Sequence, residues 1–154
     1  MSSYEFPKAL RRCRPSEEPE ACIPLEGDVC TKFCQVPFER LLDLVDLEAS
    51  RLVEDLVIVL PGGRGALLAR GNTPLCLAEL SANESYVLFR EGDVISEGEV
   101  FAYTVSRSGR VRKHRSPCAG VVLAVIDLSW ETPRRQLLLT VGPNDVRRIA
   151  IGGR

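Results

Sequence analysis

Lysine is scarce in this chain: 154 residues hold three lysines against seventeen arginines. Histidine, tryptophan and methionine occur once each, and aromatic residues make up 6%. No apolar run approaches the roughly 18 residues needed to span a bilayer, so no membrane partner is expected. The opening stretch MSSYEFPKALRRCRP holds no apolar core of signal-peptide length, so a cytoplasmic address is expected. There is no phosphate-cradling glycine loop, no H-E-x-x-H and no nucleophile elbow. These absences argue against an enzyme. No catalytic residue, metal ligand or cofactor is expected.

What is present fits one ordinary soluble domain: 45% hydrophobic and 27% charged residues in a chain long enough to bury roughly 70% of its unfolded surface. The net charge of −1 conceals an asymmetry. Residues 1–104 carry ten Lys and Arg against eighteen Asp and Glu, and residues 105–154 carry ten against three. Either the basic part attracts an anionic partner, or the two parts attract one another within the fold. The bias of arginine over lysine occurs in some thermophile families, and it bears on the six cysteines. In a mesophile's cytosol they would be thiols or metal ligands, whereas hyperthermophile proteins keep disulfides inside the cell.

Residues 1–36 read as irregular, because Pro7, Pro15, Pro19 and Pro24 interrupt any long period. Cys13, Cys22, Cys30 and Cys34 lie in this stretch. Their spacing lacks the paired CxxC of a strong zinc signature, and disulfides and a four-thiolate zinc site both remain open. Leu41, Leu42, Val45, Ala49, Leu52 and Leu56 recur at helical spacing, which predicts an amphipathic helix over about 38–54. DLVIVLPGG reads as a buried strand and a turn. Beyond it, GALLAR, PLCLAEL, SYVLF, VFAYTV, GVVLAVIDL, RQLLLTV and VRRIAI are short strand-like runs split by turn residues. Cys76 in PLCLAEL reads as a small core residue, and Trp130 as a cap on a barrel end. A Cys118–His114 nucleophile pair is disfavoured, because no third orienting group is evident.

Two fragments carry a resemblance. Gly92-Asp93-Val94-Ile95-Ser96-Glu97-Gly98 runs into the strand EVFAYTV, and Ser116-Pro117-Cys118-Ala119-Gly120-Val121-Val122 follows. Together, over residues 86–126, they resemble the biotinyl/lipoyl-carrier family. Within it they resemble most an uncharacterised archaeal group of single-domain, lipoyl-like proteins. The resemblance implies a mainly β, barrel-sandwich hybrid fold. The short helical or irregular, Cys-rich start lies outside the carrier pattern; we expect an N-terminal Cys-rich, helical and strand segment over 1–60, packed on a β domain over 61–154 as one compact unit. The family's second G-D turn is not repeated in SWETPRRQLLLTVGPND.

Carriers place a modified lysine at the hairpin tip, about eight residues before the proline of the S-P turn. Here that position is Gly109, so no modified lysine is expected; Lys113 would lie down the return strand. With Ser108-Gly109 as a two-residue turn, Arg107 would pair with Arg110, Val105 with Arg112 and Tyr103 with His114. One face would then show Tyr103, Arg107, Arg110, Arg112 and His114. Like charges directly opposed are destabilising, so the arginines would need water or an anion. We therefore expect a non-catalytic binding module whose basic hairpin, Arg107 to Arg115, contacts an acidic protein or nucleic acid, with barrel edges available for homo-oligomer formation. The alternatives are a covalent biotin- or lipoate-type carrier and a cysteine-based redox protein.

Overall fold

The computed structural model describes residues 6–26, 29–128 and 134–150, and the chain is mainly β. It divides into two compact units, Met1–Thr73 with Asp145–Arg154, and Pro74–Asn144. This boundary differs from the one expected at residue 60. The chain returns to the first unit at its end, because β15 (Arg147–Ile149) pairs with β7 (Ala66–Ala69).

The first unit holds a six-stranded antiparallel sheet in the order β15-β7-β6-β1-β3-β2. Its other strands are β1 (Lys8–Arg12), β2 (Ala21–Glu26), β3 (Val29–Val36) and β6 (Leu56–Val59). Arg147 on β15 donates to the Pro24 carbonyl on β2 at 3.3 Å, so the two edges of the sheet approach and the sheet is curled. Leu10, Ile23, Phe33, Val57 and Leu68 form its core. Each such side chain contributes about 1.5–3 kcal/mol by leaving water. As expected, Leu56–Val59 is a buried strand followed by a turn at Pro61–Gly63, where Gly62 takes φ 74°.

The irregular N-terminal stretch expected from its prolines is instead three strands. Pro7 and Pro15 lie outside β1, and Pro24 lies on β2, the edge strand, where a missing N–H need cost no ladder bond. β1 is stabilised by β3 on one side and on the other by β6, more than forty residues away, which no local pattern announces.

The helix expected over 38–54 is absent. A seven-residue 3-10 turn covers Phe38–Leu44, and the backbone is extended again at Val45, with φ −120° and ψ 131°. There β4 (Val45–Asp46) pairs with β5 (Arg51–Leu52). The Asp46 carboxylate accepts from the N–H groups of Glu48 and Ala49, at 3.1 Å each, and Ser50 is left-handed at φ 54°. A side chain that captures its own downstream backbone competes directly with the helical bond pattern. The apolar spacing is met by other means: Leu41, Leu44, Val45, Leu52 and Leu56 are all buried, while Ala49, on the supposed apolar face, is exposed.

The second unit packs two antiparallel sheets. One is ordered β10-β13-β14-β8, from β8 (Cys76–Ser81), β10 (Val94–Ile95), β13 (Gly120–Leu128) and β14 (Arg135–Val141). The other is ordered β12-β11-β9, from β9 (Glu84–Val87), β11 (Val100–Val105) and β12 (Val111–Arg115). Ala78, Leu80, Ile95, Phe101, Val122 and Leu138 fill the space between them. All seven expected apolar runs are strands. Trp130 lies outside the described residues.

The six cysteines form three disulfides: Cys13–Cys34, Cys22–Cys30 and Cys76–Cys118. Their Cα separations of 5.0, 5.4 and 5.8 Å suit the bond. Cys76 is therefore not a lone core residue, and Cys118 is not a free thiol.

Candidate functional site

The hairpin joining β11 to β12 is positioned by the two glycine turns noted in the sequence. Gly92, at φ 92°, donates to the Val122 carbonyl at 2.8 Å, and Val122 donates back to Asp93 at 2.8 Å. The Asp93 carboxylate accepts from the Arg90 N–H at 2.7 Å, closing the turn. Gly98 and Ser116 bond across the base of the hairpin at 2.8 Å, and Ser116 Oγ bonds both the N–H and the carbonyl of Cys118. Gly120, at φ 144°, runs so close to β14 that an added Cβ would collide with the Val141 carbonyl. The base of the hairpin is thus held by backbone bonds from both sides.

At the tip, the register differs from expectation by one residue. Val105 pairs with Val111, Thr104 with Arg112, Tyr103 with Lys113 and Ala102 with His114. The loop is Arg107-Ser108-Gly109, closed by Ser106 N–H to the Arg110 carbonyl and Gly109 N–H to the Ser106 carbonyl, both at 2.9 Å. Gly109 supplies a left-handed φ of 86°, the position that completes a three-residue hairpin loop. Ser106 Oγ accepts the Arg110 N–H at 3.1 Å and adds a local bond that favours this turn.

The slip moves every side chain of β12 to the other face. The expected Arg107–Arg110 and Tyr103–His114 pairs do not form. Tyr103 instead shares the outer face with Lys113 and, across β9, with Tyr86. His114 turns to the opposite face, where its Nε2 lies 2.8 Å from Thr104 Oγ1. Tyr86 was not legible as a partner from sequence, because nothing local ties β9 to β11. The three-residue loop was legible in principle from Gly109 and Ser106.

The arginines nevertheless stay together. Arg107, Arg110 and Arg112 line one groove of about 410 Å³, whose other wall includes Thr104, Ser81 and Asn83. Among the described residues none of the three makes an ion pair. Several arginines elsewhere differ. Arg12 and Arg70 converge on Asp55 at 2.7 and 3.1 Å, Arg11 forks onto Glu17, Arg14 onto Glu54, and Arg135 reaches Glu79 at 2.8 Å. Burial alone would raise the Asp55 pKa, but the Gly71 N–H and the Arg12 and Arg70 guanidiniums outweigh it and hold the carboxyl below its ordinary range. The Arg11 fork and the Arg14 N–H lower Glu17 to about 2. The groove therefore gathers three arginines that the described part of the chain leaves without counter-charges.

No lysine stands at the tip, since Gly109 occupies it, and Lys113 lies down β12 opposite Tyr103. Among the described residues no helix is long and apolar enough to cross a membrane. Cys13, Glu17 and Cys34 cluster closely enough for a metal, but both sulfurs are in the disulfide and Glu17 is held by Arg11. No curated protein matches the sequence. The model of one family, described as "Uncharacterized protein conserved in archaea (DUF2118)", matches residues 17–143. The chain belongs to that family.

Proposed function

We propose that this protein is a non-catalytic binding module on a lipoyl-like, barrel-sandwich hybrid scaffold, and that its basic hairpin grips an anionic partner. The second unit supports the scaffold reading: two small sheets are packed face to face, and a G-D turn and an S-P-x-x-G turn brace one protruding hairpin. The observation that carries the binding reading is the groove lined by Arg107, Arg110 and Arg112, with no carboxylate paired to any of them among the described residues. Three guanidiniums lining one groove repel one another, and a bound phosphate or carboxylate relieves that repulsion while accepting forked hydrogen bonds. The carrier alternative lacks its acceptor amine. A redox alternative would have to use disulfides rather than thiols. A cytosolic address goes with the thermophilic reading of the arginine bias, because three disulfides are unusual in a mesophile's cytosol.

Titration with inorganic polyphosphate tests the reading. The wild type should bind with affinity that falls steeply with salt, and the Arg107→Glu, Arg110→Glu double variant should lose at least tenfold. Equal affinity of the two proteins would remove the proposal.

A further inference from the structure

The outer face of the three-stranded sheet is separate from the groove and is left open. Its rows follow from the register: Lys113, Tyr103 and Tyr86 lie side by side across β12, β11 and β9, and Val111, Val105 and Glu84 form the next row. Val111 is 61% exposed and Tyr86 53%, and Leu88, 52% exposed, lies just past the end of β9. Strand alternation puts Arg115 on the same face as Lys113, at the β12 edge, and its guanidinium bonds the Gly98 carbonyl. Charge is therefore graded across the sheet. Cations line the β12 edge, two tyrosines occupy the centre and the β9 side, and the acid Glu84 stands at the far edge, bonded by the Tyr86 hydroxyl.

Resting on the anion-binding reading above, we infer that this face binds single-stranded nucleic acid, with bases stacked on Tyr103 and Tyr86 and phosphates along Lys113 and Arg115 at the β12 edge. Adjacent strands lie about 4.8 Å apart, so Tyr103 stands one strand from the cationic edge and Tyr86 two. A base reaching inward from a backbone on that edge meets a ring, and a second base meets the next. Open sheets use paired aromatics in this way on unstacked bases. The carboxylate of Glu84 at the opposite edge favours the one direction. A second copy of the chain fits less well. Self-pairing of this face would bring together Lys113 and Arg115 of both copies, with a single Glu84 from each to offset them. A duplex keeps its bases stacked and offers the tyrosines nothing.

The experiment measures binding of labelled oligo(U) and oligo(dT) of about 12 nucleotides. Inorganic polyphosphate and a duplex of the same length serve as comparators. The proteins are the full chain and its Tyr86→Leu, Tyr103→Leu, Tyr86→Phe and Tyr103→Phe variants, each first checked for an unchanged circular dichroism spectrum. Each Leu variant should weaken binding to the single strands about tenfold, each Phe variant should keep it, and polyphosphate binding should stay the same throughout. Three results would overturn the inference while leaving the anion reading intact: Leu variants that bind oligo(U) like the wild type, a duplex bound as tightly as the single strands, or self-association in place of oligonucleotide binding. If neither polyphosphate nor any oligonucleotide binds, the anion reading itself fails.

Discussion

Two sets of arginines in this molecule have opposite circumstances. In the first unit Arg12 and Arg70 converge on Asp55, which is 7% exposed and also accepts the Gly71 N–H at 2.8 Å. The cations there tie β1 to the turn after β7, and their charge is spent within the fold. In the second unit Arg107, Arg110 and Arg112 share a groove and find no carboxylate among the described residues. The overall charge asymmetry of the sequence does not separate these cases; only pairing does. An acidic early chain with a basic late chain suggests attraction between them, yet β1's arginines take acids from their own unit and leave the hairpin's cations unneutralised.

The largest effect is expected at Asp55. Asp55→Ala should lower stability by about 2–3 kcal/mol, less than the full penalty for a buried pair because both guanidiniums are half-exposed. Chemical denaturation checks this. The carboxyl is held below its ordinary range, so its stabilisation is complete above that range and declines as the pH falls through the lowered value. Asp55→Asn should accordingly flatten the acid limb of a stability-against-pH curve. A wild-type curve no steeper than the variant's would mean that this ion pair is decorative.

Next comes the contrasting variant. Arg107→Ala, Arg110→Ala and Arg112→Ala together should change stability by no more than about 0.5 kcal/mol, since they remove no bond within the described fold. A large loss in the same denaturation assay would show that the hairpin's cations are structural after all, and the contrast would collapse.

The smallest effect concerns Glu91, a buried acid whose carboxylate accepts the Val125 N–H at 2.8 Å beside the bulge in β13. Burial raises its pKa. The folded state thus holds the proton more firmly than the unfolded chain, and ionisation costs stability as the pH rises past the ordinary glutamate value. Relative to Glu91→Gln, the wild type should lose melting temperature between acid and neutral pH. A constant difference across that range would contradict it.

Much of the second unit was legible in the sequence. GDVISEG and SPCAG mark two turns by glycine, proline and aspartate chemistry that needs no distant partner, and alternating apolar runs mark the strands between them. The N-terminal half of the first unit's sheet was hidden, because β1 and β3 are made by pairing with each other and, for β1, with a strand more than forty residues on. The helix reading over 38–54 failed where Asp46 and Ser50 bend the chain, although the buried leucines kept their places. At the site, the three arginines could be found from their count and the missing lysine. That Arg112 faces away from Tyr103 could not, since a one-residue difference in loop length decides it. Tyr86 entered only through strand order. The cysteine pairing was equally beyond reach, because six cysteines allow 15 connectivities and only the fold chooses among them.

The hairpin's arginines are proposed to be available to an anion, whereas Arg11, Arg12 and Arg70 are engaged by Glu17 and Asp55. Nuclear magnetic resonance of the arginine side-chain N–H groups during titration with tripolyphosphate tests it directly. Saturable shifts are expected at Arg107, Arg110 and Arg112 while Arg11, Arg12 and Arg70 hold still. Uniform small shifts at every arginine, or none at the hairpin, would contradict it.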